Sequence, residues 1–130
     1  AVGVVLFFER RVERRFRPLG SARGQSVFPD GCRRLEALAP DGKALVVGME
    51  FSAALRFYTR LTPVRWEYLS PDAFAVLRAK AAERGYRMLG IVFPHEANAA
   101  ARAAPGNWRY LESVGRASLW ELPPPGHPRR

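Results

Sequence analysis

Three short strand-like segments constrain this chain more than any other feature: residues 44–49 (ALVVGM), 63–68 (PVRWEY) and 88–93 (MLGIVF). The first and third are continuous and rich in aliphatic residues, the pattern of strands buried on both faces. Thirteen residues separate Met49 from Pro63, about the minimum for a crossover that joins parallel strands. Within that crossover Ser52 is placed to cap a helix running to about Thr59. Ser70-Pro71 sets a capping hydroxyl before a proline at the first helical position. Phe74, Leu77 and Ala81 then form an inward stripe, and Gly85 supplies the stop. An alanine-rich helix over residues 95–104 ends at Pro105-Gly106. Residues 108–114 and 117–122 flank Gly115-Arg116, a two-residue hairpin loop with glycine first. The expected fold is a small three-layer α/β domain. Its sheet is mainly parallel, with about three parallel strands, helices on both faces and a C-terminal β-hairpin at the edge.

The N-terminal third reads differently. Residues 1–8 are apolar, and Val5, Phe8, Val12 and Phe16 fall at helical spacing, with Arg10, Arg11, Arg14, Arg15 and Arg17 on the other face. Eight residues fall short of the ~20 a spanning helix needs. An initiator methionine, a basic leader and a cleavage site are all missing, so the segment does not read as a signal peptide. The expectation is a chain cut from something longer. Residues 1–8 are then either the end of a truncated membrane helix or an ordinary buried strand or helix. Residues 18–24 read as a loop with Gly20 and Gly24 as breakers. Cys32, Leu35 and Leu38 mark a short helix that ends before the turn Pro40-Asp41-Gly42. Three regions follow: residues 1–24 as a juxtamembrane-like helix and loop, 25–122 as the α/β domain, and 123–130 as a frayed, proline-rich tail that includes His127.

The net charge of +9 points to nucleic acid only until it is located. Residues 1–34 carry eight Arg against three acids, whereas residues 35–128 carry eleven basic and nine acidic side chains. The body of the domain is therefore nearly balanced. Arg56, Phe57, Tyr58, Arg60, Arg65, Trp66 and Tyr68 resemble a stacking-plus-phosphate surface. Packing of a sheet and an inward helix face explains them better, so nucleic acid is disfavoured as a partner.

In a parallel sheet ligands bind beyond the carboxyl ends of the strands, and Glu50, Ser52, His95 and Glu96 fall there, beside Tyr68 and Ser70. The turn Gly48-Met49-Glu50-Phe51-Ser52-Ala53 has neither a dinucleotide fingerprint nor a P-loop lysine, and Glu50 would repel phosphate. Ser52, His95 and Glu50 or Glu96 contain the residue types of a hydrolytic triad. Yet Ser52 is explained as a cap and no G-x-S-x-G elbow exists. One cysteine and two histidines offer no metal spacing. No cofactor and no metal are expected. The candidate contact residues are Glu50, Ser52, Arg56, Tyr58, Arg60, Arg65, Trp66, His95 and Glu96, for a ligand or partner rather than for bond chemistry.

The series Val46-Val47, Ser52-Ala53-Ala54-Leu55-Arg56-Phe57-Tyr58-Thr59-Arg60 and Val64-Arg65-Trp66-Glu67-Tyr68-Leu69-Ser70-Pro71 resembles the soluble C-terminal domain of bacterial polytopic glycosyltransferase-like membrane proteins. That class includes protein mannosyltransferases and aminoarabinose transferases. Relatives show a small-residue turn, Leu-Arg-Tyr-Tyr, a further Arg, then Leu-Arg-Trp-Asp and a helix starting near Asp-Pro. The likeness runs over residues 44–122 and includes Arg84-Gly85-Tyr86. Two strand ends depart from it, at Glu50-Phe51-Ser52-Ala53-Ala54 and at Pro94-His95-Glu96-Ala97. The resemblance implies that the catalytic carboxylate and the lipid-linked sugar site lie in a membrane portion outside this chain. That portion would be the partner, and Arg10, Arg11, Arg14, Arg15 and Arg17 would lie beside the headgroups. It places the domain outside a bacterial inner membrane, whereas a basic flank fits the cytoplasmic side. The other reading of the residues is a free-standing small α/β domain that binds a small molecule or an acidic partner at the strand ends.

Overall fold

The two continuous apolar runs become strands because alternate side chains of each can be buried on opposite faces of one sheet. The computed structural model describes residues 22–125. In chain order they form α1 (Ala22–Leu38), β1 (Ala44–Gly48), α2 (Ser52–Tyr58), β2 (Thr62–Arg65), a 3-10 turn (Trp66–Tyr68), α3 (Pro71–Glu83), β3 (Arg87–Val92), α4 (Pro94–Ala103), β4 (Arg109–Val114) and β5 (Ala117–Leu122). The fold is mixed α/β with an open five-stranded sheet in the order β2-β1-β3-β5-β4. β1 lies parallel to both β2 and β3, while β5 runs antiparallel to both β3 and β4. The closing hairpin is thus inserted beside β3, with β4 outermost.

Alternation in β1 shows how the sheet is covered. Ala44 and Val46 join one buried cluster with Leu89, Ile91, Ala117 and Leu119, packed under Cys32 and Leu35 of α1 and Ala54 and Leu55 of α2. Val47 joins a second cluster with Met88 and Leu122, packed under Phe74 and Ala81 of α3, with Ala104 just past α4. Each fully buried Leu, Ile or Phe contributes roughly 1.5–3 kcal/mol relative to exposure. Both edges carry features that blunt further pairing: Pro63 lies in β2, and the β4–β5 register shifts between Tyr110 and Glu112.

Several local expectations hold. Ser70 Oγ accepts from the Ala73 amide at 3.1 Å, ahead of Pro71. Gly85, at φ +75°, closes α3 with paired bonds from Tyr86 N to Ala81 O and Gly85 N to Ala82 O. Gly115, at φ +60°, turns the β4–β5 hairpin, with Val27 of α1 seated where a Cβ would project.

Three expectations are corrected. The loop foreseen over residues 18–24 is helical from Ala22, and the short helix around Cys32 is the latter part of a 17-residue α1. Packing outweighs local propensity here: Phe28, Cys32 and Leu35 share one face over Phe51, and Gly31 admits the Phe51 ring. The second strand stops at Arg65 instead of Tyr68, because the chain turns in a 3-10 step that aims Trp66 at α4. Ser52 is not a cap. It is the first residue of α2, and its hydroxyl donates to Met49 O at 2.7 Å. The expectations for residues 1–21 and 126–130, including the amphipathic basic helix and the frayed tail, lie outside the described residues.

Candidate functional site

The carboxyl ends of β1, β2 and β3 bring four of the nine candidate residues into direct contact. Glu96 stands in the first turn of α4 and is 1% exposed. One carboxylate oxygen accepts the Trp66 indole N–H at 2.6 Å, and the other accepts the Phe93 amide at 3.2 Å. The second bond is half of a capping box, with the glutamate reaching back to the residue before Pro94. A buried carboxylate is costly unless its oxygens are paired, and here both are.

Beside this pair, His95 Nε2 lies 3.0 Å from a Glu50 carboxylate oxygen and bridges the turns after β1 and β3. The pair is open to solvent, with side chains 60% and 42% exposed, and the imidazole stacks on Phe93 at 6.0 Å. Ser52 is 2% exposed and points inward to Met49 O, while His95 faces Glu50. The geometry thus commits these groups to separate partners rather than to a proton relay. Among the described residues no group of three or more His, Cys, Asp or Glu side chains is placed to hold a metal ion.

The remaining candidates divide. Arg65 forms a two-point contact with Glu67, at 2.9 and 3.3 Å, and its guanidinium lies 5.5 Å from the Tyr68 ring centroid. Both interactions brace the 3-10 turn. Arg56 and Tyr58 are exposed on α2, where Phe57 and Tyr58 meet edge-on at 5.1 Å. Arg60 lies just beyond α2, at the opposite end of the crossover. Its amide donates to Glu36 and its guanidinium to Pro40 O. The nine residues therefore do not form one site.

The sequence reading missed a cavity of about 380 Å³ on the sheet face beneath α4. Val47, Gly90 and Val92 form its floor, Ala97, Ala100, Ala101 and Ala104 its roof, and Trp108 and Trp120 its walls. The available signal was the spacing of alanines at 97, 100, 101 and 104, one helical face that presents only methyl groups.

The chain matches no protein-family model, no curated protein and no solved structure.

Proposed function

We propose that this chain is a non-catalytic domain of a glycosyltransferase-like integral membrane protein. It packs on the membrane portion and contacts acceptor or partner, while bond chemistry takes place elsewhere in the parent. The observation that carries the reading is the role of Arg65-Trp66, the second half of the Arg56-Phe57-Tyr58 … Arg65-Trp66 spacing on which the resemblance chiefly rests. Trp66 spends its only polar atom on the buried Glu96, and Arg65 pairs with Glu67. A motif committed to such bonds serves as scaffold, as a domain that supports a catalytic site housed elsewhere requires. In this reading the sheet and its helices form a three-layer core. Arg10, Arg11, Arg14, Arg15 and Arg17 lie at the membrane surface, and the domain faces the extracytoplasmic side.

No helix among the described residues is long and apolar enough to cross a membrane, so the anchor required by this reading lies outside them. The coding sequence upstream of Ala1 tests it directly. Several apolar spans of about 20 residues each are expected, and alkaline phosphatase fused after Arg130 of the parent should be active outside the cytoplasm. A reading frame without upstream spans would refute the proposal.

A further inference from the structure

We propose that the cavity beneath α4 is a binding site for an uncharged aromatic ligand of about two rings. The inference rests on the cavity alone and is independent of the parent protein's identity.

The space lies between two indoles whose positions are fixed by other contacts. Gly90 lies at the middle of the floor, paired with Val47 on one side and Trp120 on the other. A Cβ at Gly90 would stand 3.2 Å from Trp108 Cζ3, so a side chain there would press on the indole. Ala100, above, offers one methyl. Each indole is held by contacts of its own. Trp108 donates its N–H to Ala104 O at 2.7 Å, and its ring stacks with Phe74 at 6.2 Å. Trp120 donates to Ser118 Oγ at 2.9 Å and meets Tyr110 edge-on at 5.3 Å. Collapse into the space would break those contacts, so the walls are pre-organised for an occupant.

The lining sets the chemistry of that occupant. No lining side chain is ionisable, so the lining itself offers a charged group no partner. Both indole N–H groups are already spent, which leaves ring faces and edges for contact. Asn107 is the single polar side chain of the lining and is exposed, placed to meet one polar substituent. An apolar cavity of about 150 Å³ accepts one benzene. At about 380 Å³, this one holds a bicyclic ring system with a small substituent.

The test titrates 2-naphthol into the full chain, with 2-naphthalenesulfonate as a charged probe of matching shape. Tryptophan fluorescence and calorimetry provide the readouts. Saturable 2-naphthol binding is expected, at least about tenfold tighter than that of the sulfonate. Ala101→Leu fills the cavity from its exposed rim and should weaken 2-naphthol at least about tenfold, with the urea midpoint unchanged. Trp120→Ala, which removes a wall, decides the matter by calorimetry if the leucine variant does not fold. Equal affinity for the two probes, binding unchanged by the deciding variant, or no saturation below about 1 mM would each overturn the proposal.

Discussion

Replacing Trp66 by Phe removes one hydrogen-bond donor from a buried carboxylate and leaves the ring in place. The indole–Glu96 bond is 2.6 Å long, and Glu96 is 1% exposed. Water cannot readily replace the lost donor. A hydrogen bond to a charged group contributes about 1.5–3 kcal/mol. The smaller ring gives up less than about 1 kcal/mol more, because Trp66 is only half-buried. The expected loss is about 2–3 kcal/mol, equivalent to a fall in melting temperature of roughly 8–20 °C for a domain of this size. Glu96→Ala removes the acceptor for both Trp66 and Phe93 N, along with a carboxylate in the first turn of α4, and should cost about 3 kcal/mol or more. Because the two residues share one bond, the double variant should lose less than the sum, with a coupling of about 1.5–2 kcal/mol.

Urea unfolding of the full chain and its three variants measures these values. Far-UV circular dichroism is the suitable probe, since tryptophan fluorescence changes with the substitution itself. Midpoints should shift at constant slope. A coupling below about 0.5 kcal/mol would refute the reasoning. It would mean that solvent already satisfies Glu96 and that Trp66 is free for another role. The scaffold reading of Arg65-Trp66, and with it the chief support for the proposed function, would then fall.

Two further substitutions probe the turn after β1. Gly48→Ala would place a Cβ 2.8 Å from Ile91 O, a backbone atom inside the sheet. A loss of about 2–3 kcal/mol is expected from urea unfolding, and a change below about 0.5 kcal/mol would show that the strands can shift apart. Ser52→Ala removes the donor to Met49 O and should cost about 1 kcal/mol. It should leave p-nitrophenyl acetate turnover at the background rate of the unsubstituted chain; turnover above buffer that disappears in the variant would reverse the assignment of this hydroxyl.

The course of the chain was legible wherever apolar periodicity and turn chemistry agreed. The Ser70-Pro71 start, the Gly85 stop and the Gly115-Arg116 turn are local devices, and each is found where the residues placed it. The boundaries that moved depend on distant partners. Gly24 signals a break, yet α1 runs through it, and through Pro29, because its apolar face is held by Phe51. Residues 66–68 look extended in isolation, but the attraction between Trp66 and a glutamate thirty positions later turns them. Ser52 met the composition rule for a cap, but the helix begins at Ser52 itself. Its hydroxyl donates to Met49 O instead of accepting from a first-turn amide. The hairpin lies at a sheet edge as expected, but the choice of the β3 edge over the β2 edge was invisible, since an adjacent hairpin could have paired with either.

The candidate site exposes a more general asymmetry. Reading a sequence for chemistry favours groups that carry charge or a hydrogen-bonding atom, and those led to the carboxyl edge of the sheet. There, Trp66 and Glu96 satisfy one another, His95 meets Glu50, and Ser52 points inward. These contacts join the strand ends, and the His95–Glu50 pair stays open to solvent. The open volume is a cleft beneath the body of α4, floored by Val47, Gly90 and Val92 and edged by the exposed Ala101 and Asn107. An apolar core is normally packed to crystal-like density, and space without partner atoms forfeits dispersion energy. Its persistence between two anchored indoles is therefore the better reason to look for a ligand. Polar residue types could not have signalled it, because its defining residues are the ones that carry least chemistry.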